Sequence, residues 1–265
     1  MLNCIEHNYH THTFRCGHAD GTDEQYVQFA IEAGIKTLGF SDHIMLPDHP
    51  QEGIRGNYEL LDDYISSINN LKIKYKDKID IKIGFEAEAL HYYFPYYKNL
   101  LESGKIEYLI LGNHLEIDEN DKLHFFFSHH TKKKDVKRYA ESLIKGMSTK
   151  LFACVAHPDY FMGSYKKWDS FTKRISKKII KASIKYDIPL EINLGGVRSG
   201  PRFYGSDYRL PYPMYKFWKL AKKYKCKVIL GYDSHSPLDF SSPLNKQGFL
   251  MVEELGLHII DKLDI

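Results

Sequence analysis

Long apolar runs are missing from this sequence. It has no apolar stretch of about eighteen residues, the length that crosses a bilayer, and its amino terminus has no basic segment followed by an apolar one. We therefore expect neither a membrane-spanning helix nor a signal peptide. We expect a protein that acts in the cytoplasm and has no membrane partner.

Cysteine is scarce, and no two cysteines form a C-x-x-C pair. The four are Cys4, Cys16, Cys154 and Cys226, and their scatter argues against a zinc finger or a thiol redox motif. Cys16 lies inside a histidine-rich loop, where we interpret it as a small residue that packs inward. The formal net charge is only +3, so the lysine clusters indicate solvated faces and we expect no nucleic-acid partner.

No dinucleotide-binding glycine fingerprint follows the first apolar run, and no linker or internal repeat divides the chain. Short apolar runs instead alternate with segments of helical period. The predicted strands are 7–12, 36–42, 80–86, 106–112, 151–157, 188–193 and 227–233. The predicted helices are 22–34, 57–77, 94–104, 134–147, 170–186, 212–225 and 246–255. This alternation implies parallel strands with right-handed crossovers, so we predict an α/β barrel formed by one domain, residues 1–265.

Three segments between these elements are candidate active-site loops. Segments 46–56 and 195–213 contain Pro and Gly and fall at positions where barrel enzymes place substrate contacts. The aromatic segment 124–130, HFFFSHH, predicts either a lid or a hairpin, and its sequence leaves both open.

The stretch HTHTFRCGHAD, near the amino terminus, has the spacing of metal ligands. His10 and His12 are separated by one residue, so on an extended strand both imidazoles leave the same face. Glycines in the following turn bring His18 and Asp20 back toward the strand end. An H-x-H pair alone is weak evidence, so a metal site requires further donors from other strands.

Such donors follow every predicted strand. The apolar strands end in side chains that bind metals or form hydrogen bonds: His10, His12, Asp42, His43, Glu86, His114, His157, Asp159, Glu191, Asn193, Asp233 and His235. Burying so many polar groups together is costly unless they are paired or bound to metal. Because strand ends form one ring in a barrel, we expect these groups to face one another. Glu88 and His91 remain alternatives to Glu86.

Nitrogen and carboxylate donors without a cysteine cluster suit zinc, iron or manganese. The donors are too many for one ion, and a carboxylate such as Glu86 can bridge two ions about 3.5–4 Å apart, as in phosphoester hydrolysis. The pattern therefore indicates a metal-dependent hydrolase.

These motifs, taken together, resemble the polymerase and histidinol phosphatase (PHP) family. They are HTH at 10–12, CGHA at 16–19, SDH at 41–43, GFE at 84–86, GNH at 112–114, His157 with Asp159, and DSH at 233–235. Within the family, YHTHTFRCGHADGT, GFSDH and LEINLGGVRSG look most like the histidinol-phosphate phosphatase branch. The departures are Gly112-Asn113 before His114 and extra Arg and Tyr residues in 199–209.

The resemblance implies a distorted seven-stranded (β/α)7 TIM-like barrel that holds two to three divalent metal ions. The ligands it implies for the first ion are His10, His12, Glu86 and Asp233. Those for the second are Glu86, His114 and His157. Those for the third are His18, His43 and His235.

The implied activity is hydrolysis of a small phosphomonoester, with L-histidinol phosphate of histidine biosynthesis as the expected substrate. We expect a hydroxide held between ions to attack phosphorus in line. Arg198, aided by Arg202, would grip phosphate oxygens through its planar fork. We count His18 as catalytic, and Asp159 is either the acid for the leaving alkoxide or a partner that orients His157.

Other readings stay open. Candidates for binding the ammonium and imidazole of the substrate are Glu88, Asp207, Tyr204 and Phe126, and we expect Asp42 and Asp20 to orient histidines. The alternative substrates are nucleotides, sugar phosphates or phosphotyrosine peptides. A domain with purely structural metals is the rival from another class. The sequence does not decide the oligomeric state.

Overall fold

The computed structural model describes residues 4–265. Eleven strands lie in this part of the chain: β1 His7–Asn8, β2 Thr37–His43, β3 Asp80–Ala87, β4 Tyr108–Leu111, β5 Leu115–Ile117, β6 Leu123–Phe125, β7 Cys154–Val155, β8 Leu190–Asn193, β9 Arg202–Tyr204, β10 Asp207–Arg209 and β11 Val228–Gly231. Seven form one parallel sheet in the order β1-β2-β3-β4-β7-β8-β11. The other four form two antiparallel hairpins, β5 with β6 and β9 with β10.

Helices alternate with the seven parallel strands, as the sequence predicts. Those of the described chain are α1 Asp23–Glu32, α2 Leu61–Lys74, α3 Phe94–Glu102, α4 Lys133–Thr149, α5 Ser170–Tyr186, α6 Leu194–Arg198, α7 Tyr215–Lys223 and α8 Asn245–Leu255. None of them is both long and apolar enough to span a bilayer.

Local sequence signals explain where helices begin and end. Thr22 caps α1 by accepting a hydrogen bond from the backbone of Gln25, whose side chain accepts one from the backbone of Thr22. Asp169 and Thr172 form the same reciprocal arrangement before α5. Beyond α1, Gly34 has a φ of 81°, a conformation that glycine adopts without strain.

The sheet nearly closes on itself between its first and last strands. Beyond β1 the backbone N–H of His12 donates to the carbonyl of Ser234 at 2.9 Å, and Thr11 forms an isolated parallel bridge with Ser234. Inside the barrel, the hydroxyl of Tyr108 donates to the carbonyls of Tyr9 and Phe40. This closure brings the carboxyl ends of all seven strands into one ring, and the predicted barrel is confirmed.

The predicted strands differ from the observed ones mainly in length. The first, predicted at 7–12, is a regular strand only at His7–Asn8. Beyond it, Thr11 forms an isolated bridge with Ser234, and its carbonyl accepts a single hydrogen bond from the backbone of Ser41 in β2. Segment 124–130 contributes to a hairpin, and 195–213 contains helix α6 and a second hairpin. The hairpin strands have three residues each, which is too short for a clear alternating pattern.

Candidate metal centre

Two histidines beyond the first strand face the same point, as their spacing predicts. Nε2 of His10 lies 3.2 Å from Nε2 of His12, and both rings are buried. Asp233, which follows β11, joins them, because its Oδ1 lies 3.4 Å from Nε2 of His10 and 3.1 Å from Nε2 of His12. Barrel closure thus brings donors from the two ends of the sheet together.

Glu86, near the end of β3, lies between two groups of histidines. Its Oε2 lies 3.6 Å from Nε2 of His12 and 3.1 Å from Nδ1 of His43. Its Oε1 lies 2.8 Å from Nε2 of His157 and 3.9 Å from Nε2 of His114. One buried carboxylate therefore offers an oxygen to each group, which is the arrangement by which a carboxylate bridges two ions.

A third group of histidines lies at the opening of the site. Nε2 of His18 is 3.1 Å from Nε2 of His235, and the ring centroid of His18 is 5.3 Å from that of His43. His18 is the exposed member, whereas His43 is buried. Ligand atoms of all three lie within 4.8 Å of one another.

The donor atoms at these distances need positive charge between them. The unprotonated nitrogen of a neutral imidazole carries a lone pair, so the facing Nε2 atoms of His10 and His12 repel unless a proton or a cation lies between them. His18 and His235 present the same problem. Four groups of three such donors, each within 4.8 Å, comprise nine side chains, which we call the floor: His10, His12, His18, His43, Glu86, His114, His157, Asp233 and His235.

The chemistry of the floor fits divalent cations. Its imidazole nitrogens and carboxylate oxygens suit zinc, iron or manganese. A fifth group joins Cys16 to His12 and His235. Burial raises the pKa of Cys16 to about 12, which opposes formation of the thiolate that binds metals, so we leave this sulfur out of the donor set.

Protonation in the floor follows burial and the carboxylates. Burial opposes the charge of His12, but its contacts with Asp233 and Asp42 outweigh burial and raise its pKa to about 9. The carboxylates also outweigh burial at His10 and His157 and raise their pKa values, whereas burial prevails at His114 and His235 and lowers their pKa values to about 4 and about 3. Although burial opposes ionisation, nearby histidines hold the pKa of Asp233 well below its ordinary value. An ionised carboxylate and neutral imidazoles are the forms that bind cations.

Two floor residues have an unusual backbone. His157 has a φ of 29° and Asp233 a φ of 50°, values that residues with a side chain rarely adopt. Such conformations persist where the surrounding structure enforces them, and they cluster at functional sites. Both residues follow a strand of the sheet, so the strained turn redirects the side chain toward the site.

Glycines let two carboxylates approach the neighbouring strands closely. A Cβ at Gly112 would collide with the carboxylate of Glu86, and a Cβ at Gly231 would collide with that of Glu191. The first contact explains why glycine occupies position 112 in the GNH motif, where this sequence departs from the family pattern.

Two polar residues on β8, Glu191 and Asn193, form hydrogen bonds with floor residues. Oε1 of Glu191 lies 2.8 Å from Nδ1 of His10, and its Oε2 accepts hydrogen bonds from the backbone of His157 and the amide of Asn193. The same amide donates to Oδ2 of Asp233 at 3.0 Å. One buried network therefore fixes three floor residues that come from three strands.

The two aspartates expected to orient histidines differ. Oδ1 of Asp42 lies 3.4 Å from Nδ1 of His12, and its Oδ2 accepts a hydrogen bond from the hydroxyl of Thr13. Asp20 is exposed, and its contact with the floor is made by its backbone N–H, which donates to the carbonyl of His235 at 2.9 Å. Only Asp42 places its carboxylate against a floor imidazole.

The floor opens into a cavity of about 380 Å³. Segment 46–56 contributes Gly53 and Ile54 to its lining, and the β5–β6 hairpin contributes Phe125. Tyr160 and Tyr212 line it as well, with their rings edge to face at a centroid distance of 5.4 Å. We call Ile54, Phe125, Tyr160 and Tyr212 the wall.

The sequence did not single out any of the four wall residues. Phe126 was one of two expected aromatics, but it is buried against Tyr139, and the exposed neighbour Phe125 lines the cavity instead. The available signal was membership of the candidate loops, since Ile54 lies in 46–56, Phe125 in 124–130 and Tyr212 in 195–213. Segments 46–56 and 195–213 do reach the cavity, as expected of active-site loops.

Arg198 does not line the cavity. Its Nη2 donates to the carbonyls of Tyr232 and Asp233 at 2.8 Å each, and its Nη1 donates to Asn245. Its Nε lies 2.9 Å from Oδ1 of Asp239. All three nitrogens are therefore engaged within the protein, so in this geometry the guanidinium does not present the expected phosphate fork to the cavity. Arg198 instead holds the loop that carries Asp233.

Arg202 and Asp159 also lie away from the cavity lining. Arg202 is exposed on β9. Asp159 is buried, and its Oδ2 accepts hydrogen bonds from the backbone of Met214 at 2.5 Å and from the indole of Trp218 at 3.1 Å. Burial raises the pKa of Asp159 to about 6. Among the described residues, no hydrogen bond joins Asp159 to the ring of His157. Nδ1 of His157 is buried and has no hydrogen-bond partner in this part of the chain.

The remaining candidates for substrate contacts have other partners. Glu88 is buried and accepts a hydrogen bond from Arg55 at 2.9 Å, which favours Glu86 as the floor carboxylate of β3. Tyr204 is buried beneath the guanidinium of Arg209, and Asp207 is exposed on β10.

A family model named PHP domain matches residues 8–195, more than half of the chain. The chain belongs to the PHP domain family. The resemblance carried by its motifs is thereby confirmed, and seven of the nine floor residues of this PHP domain lie inside the matched range.

Two curated relatives share the same description. A probable histidinol-phosphatase of Deinococcus radiodurans is 37% identical over 79 residues, and the match spans 30% of each chain. A probable histidinol-phosphatase of Schizosaccharomyces pombe is 24% identical over 259 residues, which cover 86% of this chain and 80% of that protein.

Solved structures share the fold. The crystal structure described as the putative histidinol phosphatase of Listeria monocytogenes aligns with a TM-score of 0.73 at 18% identity, covering 91% of this chain and 99% of the other. The crystal structure of histidinol phosphate phosphatase from Lactococcus lactis was solved in complex with zinc, L-histidinol and phosphate. It aligns with a TM-score of 0.72 at 19% identity, covering 99% of this chain and 100% of the other.

Proposed function

We propose that this PHP domain is a metal-dependent phosphomonoester hydrolase that converts L-histidinol phosphate and water to L-histidinol and phosphate. The observation that carries the proposal is the floor itself, in which Glu86 offers one oxygen to each of two histidine groups beneath an open cavity. The names of both curated relatives support the substrate. The proposed reaction is a step of histidine biosynthesis in the cytoplasm, with a small phosphate ester as partner.

The floor residues would hold two to three divalent ions of zinc, iron or manganese. Such ions lower the pKa of water to near neutrality and neutralise charge on phosphate oxygens. The protein fixes the donors before substrate arrives, since Glu191 holds His10 and Asn193 holds Asp233. His18, the exposed floor histidine, lies at the cavity opening and is our catalytic histidine.

Binding of the phosphate differs from the expectation of an arginine fork. No lysine or arginine is among the described residues that line the cavity. We assign the phosphate to the floor, where cations held by the floor residues would balance its charge. Arg198 becomes a positioning residue, because its contacts fix the backbone around Asp233, and Arg202 has no assigned role.

Two further roles follow from the contacts. Tyr160 and Tyr212 present aromatic faces to the cavity, where the imidazole of the substrate can pack. Asp159 fixes the segment that follows Tyr212 through Met214 and Trp218, so we assign it to positioning the wall and not to protonating the leaving alkoxide.

The test compares two phosphate esters on metal-loaded protein. We expect kcat/KM for L-histidinol phosphate to exceed that for p-nitrophenyl phosphate by about 10²-fold or more, the gain from two or three well-placed contacts of about 1–1.5 kcal/mol each. Phosphate release measures both. Equal efficiency would favour a broader PHP phosphoesterase, and no turnover of any phosphoester would favour structural metals.

A further inference from the structure

A buried carboxylate behind the floor has neighbours that the proposed reaction does not use. Glu88 is 1% exposed, and its Oε1 lies 3.9 Å from Nδ1 of His114. In the described chain, Nδ1 of His114 and Oε2 of Glu88 are buried without a hydrogen-bond partner. Native proteins leave few such atoms unpaired, so their proximity requires an explanation.

The partner of Glu88 comes from a loop of the cavity. Arg55 is 2% exposed and donates from Nη2 to Glu88 at 2.9 Å and from Nη1 to the carbonyl of Ile44 at 2.7 Å. Its Nε donates to Oε1 of Gln51 at 2.9 Å, within the same loop. Every nitrogen of this buried guanidinium is therefore engaged, and the adjacent Ile54 belongs to the wall.

We propose that the Arg55–Glu88 ion pair is a latch that couples the loop 47–56 to the orientation of His114. This inference rests on the proposed function in one respect, namely that a cation binds Nε2 of His114. With Nε2 so engaged, the imidazole proton resides on Nδ1 and faces Glu88. A small rotation of the ring shortens the 3.9 Å separation to a hydrogen bond of about 2.8 Å.

The consequence is reciprocal. Carboxylates that accept a hydrogen bond from a metal-binding histidine fix its tautomer and ring orientation. Glu88 also accepts a hydrogen bond from Arg55. A cation at His114 would therefore stabilise the observed conformation of the loop 47–56, and that conformation would in turn orient His114. Arg55 and Glu88 are positioning residues, since neither lines the cavity.

The experiment uses the variant Glu88→Gln and the double variant Arg55→Met with Glu88→Gln, which removes both charges and leaves no unpaired ion. The control replaces a half-buried pair outside the site, Lys72→Met with Glu107→Gln, whose charged atoms lie 2.7 Å apart. Three quantities are measured: the rate of metal loss to a chelator, amide hydrogen exchange of residues 47–56 with and without metal, and KM with kcat.

We expect both latch variants to lose one metal ion about 10- to 100-fold faster than the wild type. Metal should protect the loop from exchange in the wild type and the control but not in the latch variants, and KM should rise more than kcat falls. Wild-type metal retention and wild-type protection in the folded double variant would overturn the latch. The first two measurements need no substrate, so failure of the phosphatase proposal leaves them decisive.

Discussion

The floor and the wall of the cavity are built by different parts of the fold. Floor residues other than His18, which lies in a loop, are at or shortly beyond the ends of parallel strands. There, barrel closure fixes their positions, and a buried partner such as Glu191 fixes the ring of His10. Wall residues come from connecting segments, and Phe125 is 51% exposed. The difference teaches that the chemistry is set by the barrel, whereas substrate choice is set by loops that can change without disturbing it.

The largest effect should come from breaking the floor at its centre. Glu86→Gln removes the charge that faces both histidine groups, so we expect metal and activity to be lost together, with kcat reduced by at least about 10³-fold. Kinetics and metal analysis of the purified variant measure this. Glu107→Gln, a half-buried change outside the site, is the matched control. Near-normal turnover in Glu86→Gln would place the essential carboxylate elsewhere.

A substitution of Arg198 tests how strongly catalysis depends on the contacts that hold the floor residues in place. Arg198→Ala frees the loop of Asp233, so we expect kcat to fall about 10- to 100-fold and metal to be retained less well. Arg202→Ala, an exposed change nearby, should stay within about twofold of the wild type. A raised KM with unchanged metal content would instead restore Arg198 as a phosphate ligand.

The wall should affect substrate binding alone. Tyr212→Leu removes an aromatic face from the cavity, and we expect KM for L-histidinol phosphate to rise about 5- to 10-fold, with metal content unchanged. Tyr208→Leu alters an exposed tyrosine on β10 and serves as the control. Metal loss in Tyr212→Leu would mean that wall and floor are not separable.

The smallest effect is a pH dependence of stability that bound metal should change. His12 has a folded pKa of about 9, above its unfolded value, so its stabilising contribution is complete below about pH 6.5 and lost as pH rises through 9. His114 and His235, with pKa values of about 4 and 3, contribute stability that is lost as pH falls below about 6.5.

Without metal, Tm should therefore be highest near neutral pH and fall on both sides. Because bound cations replace the proton on His12, the metal-loaded protein should lose the decline between pH 6.5 and 9. Thermal unfolding at several pH values, with chelator or with metal, measures the difference. Identical curves would show that the histidines do not exchange protons for metal.

The sequence predicts the floor well because the signals are local or periodic. His10 and His12 share a face through their spacing, and Glu86 follows an apolar strand, so the barrel pattern is enough to bring them together. Arg198 could not be assigned in this way, since its partners Asp239 and Asn245 lie more than forty residues away in the chain. Its role depends on packing between α6, α8 and the loop after β11.

The role of Glu88 could not be assigned from the sequence either, although it lies close to the floor in the chain. It lies two residues from Glu86, and the sequence offers both as ligands. Their roles separate only through the position of Arg55, whose loop folds back to the inside of the protein. Loop residues such as Phe125 and Tyr212 could not be ranked either, because no periodic pattern determines which side of a short connection faces the cavity.

The metal content of the folded protein tests the central claim most directly. Gently purified protein, analysed for zinc, iron and manganese, should contain two to three ions per chain, because the floor offers nine donors in groups that share Glu86. A reproducible content of one ion or none, in protein shown to be folded, would contradict the account.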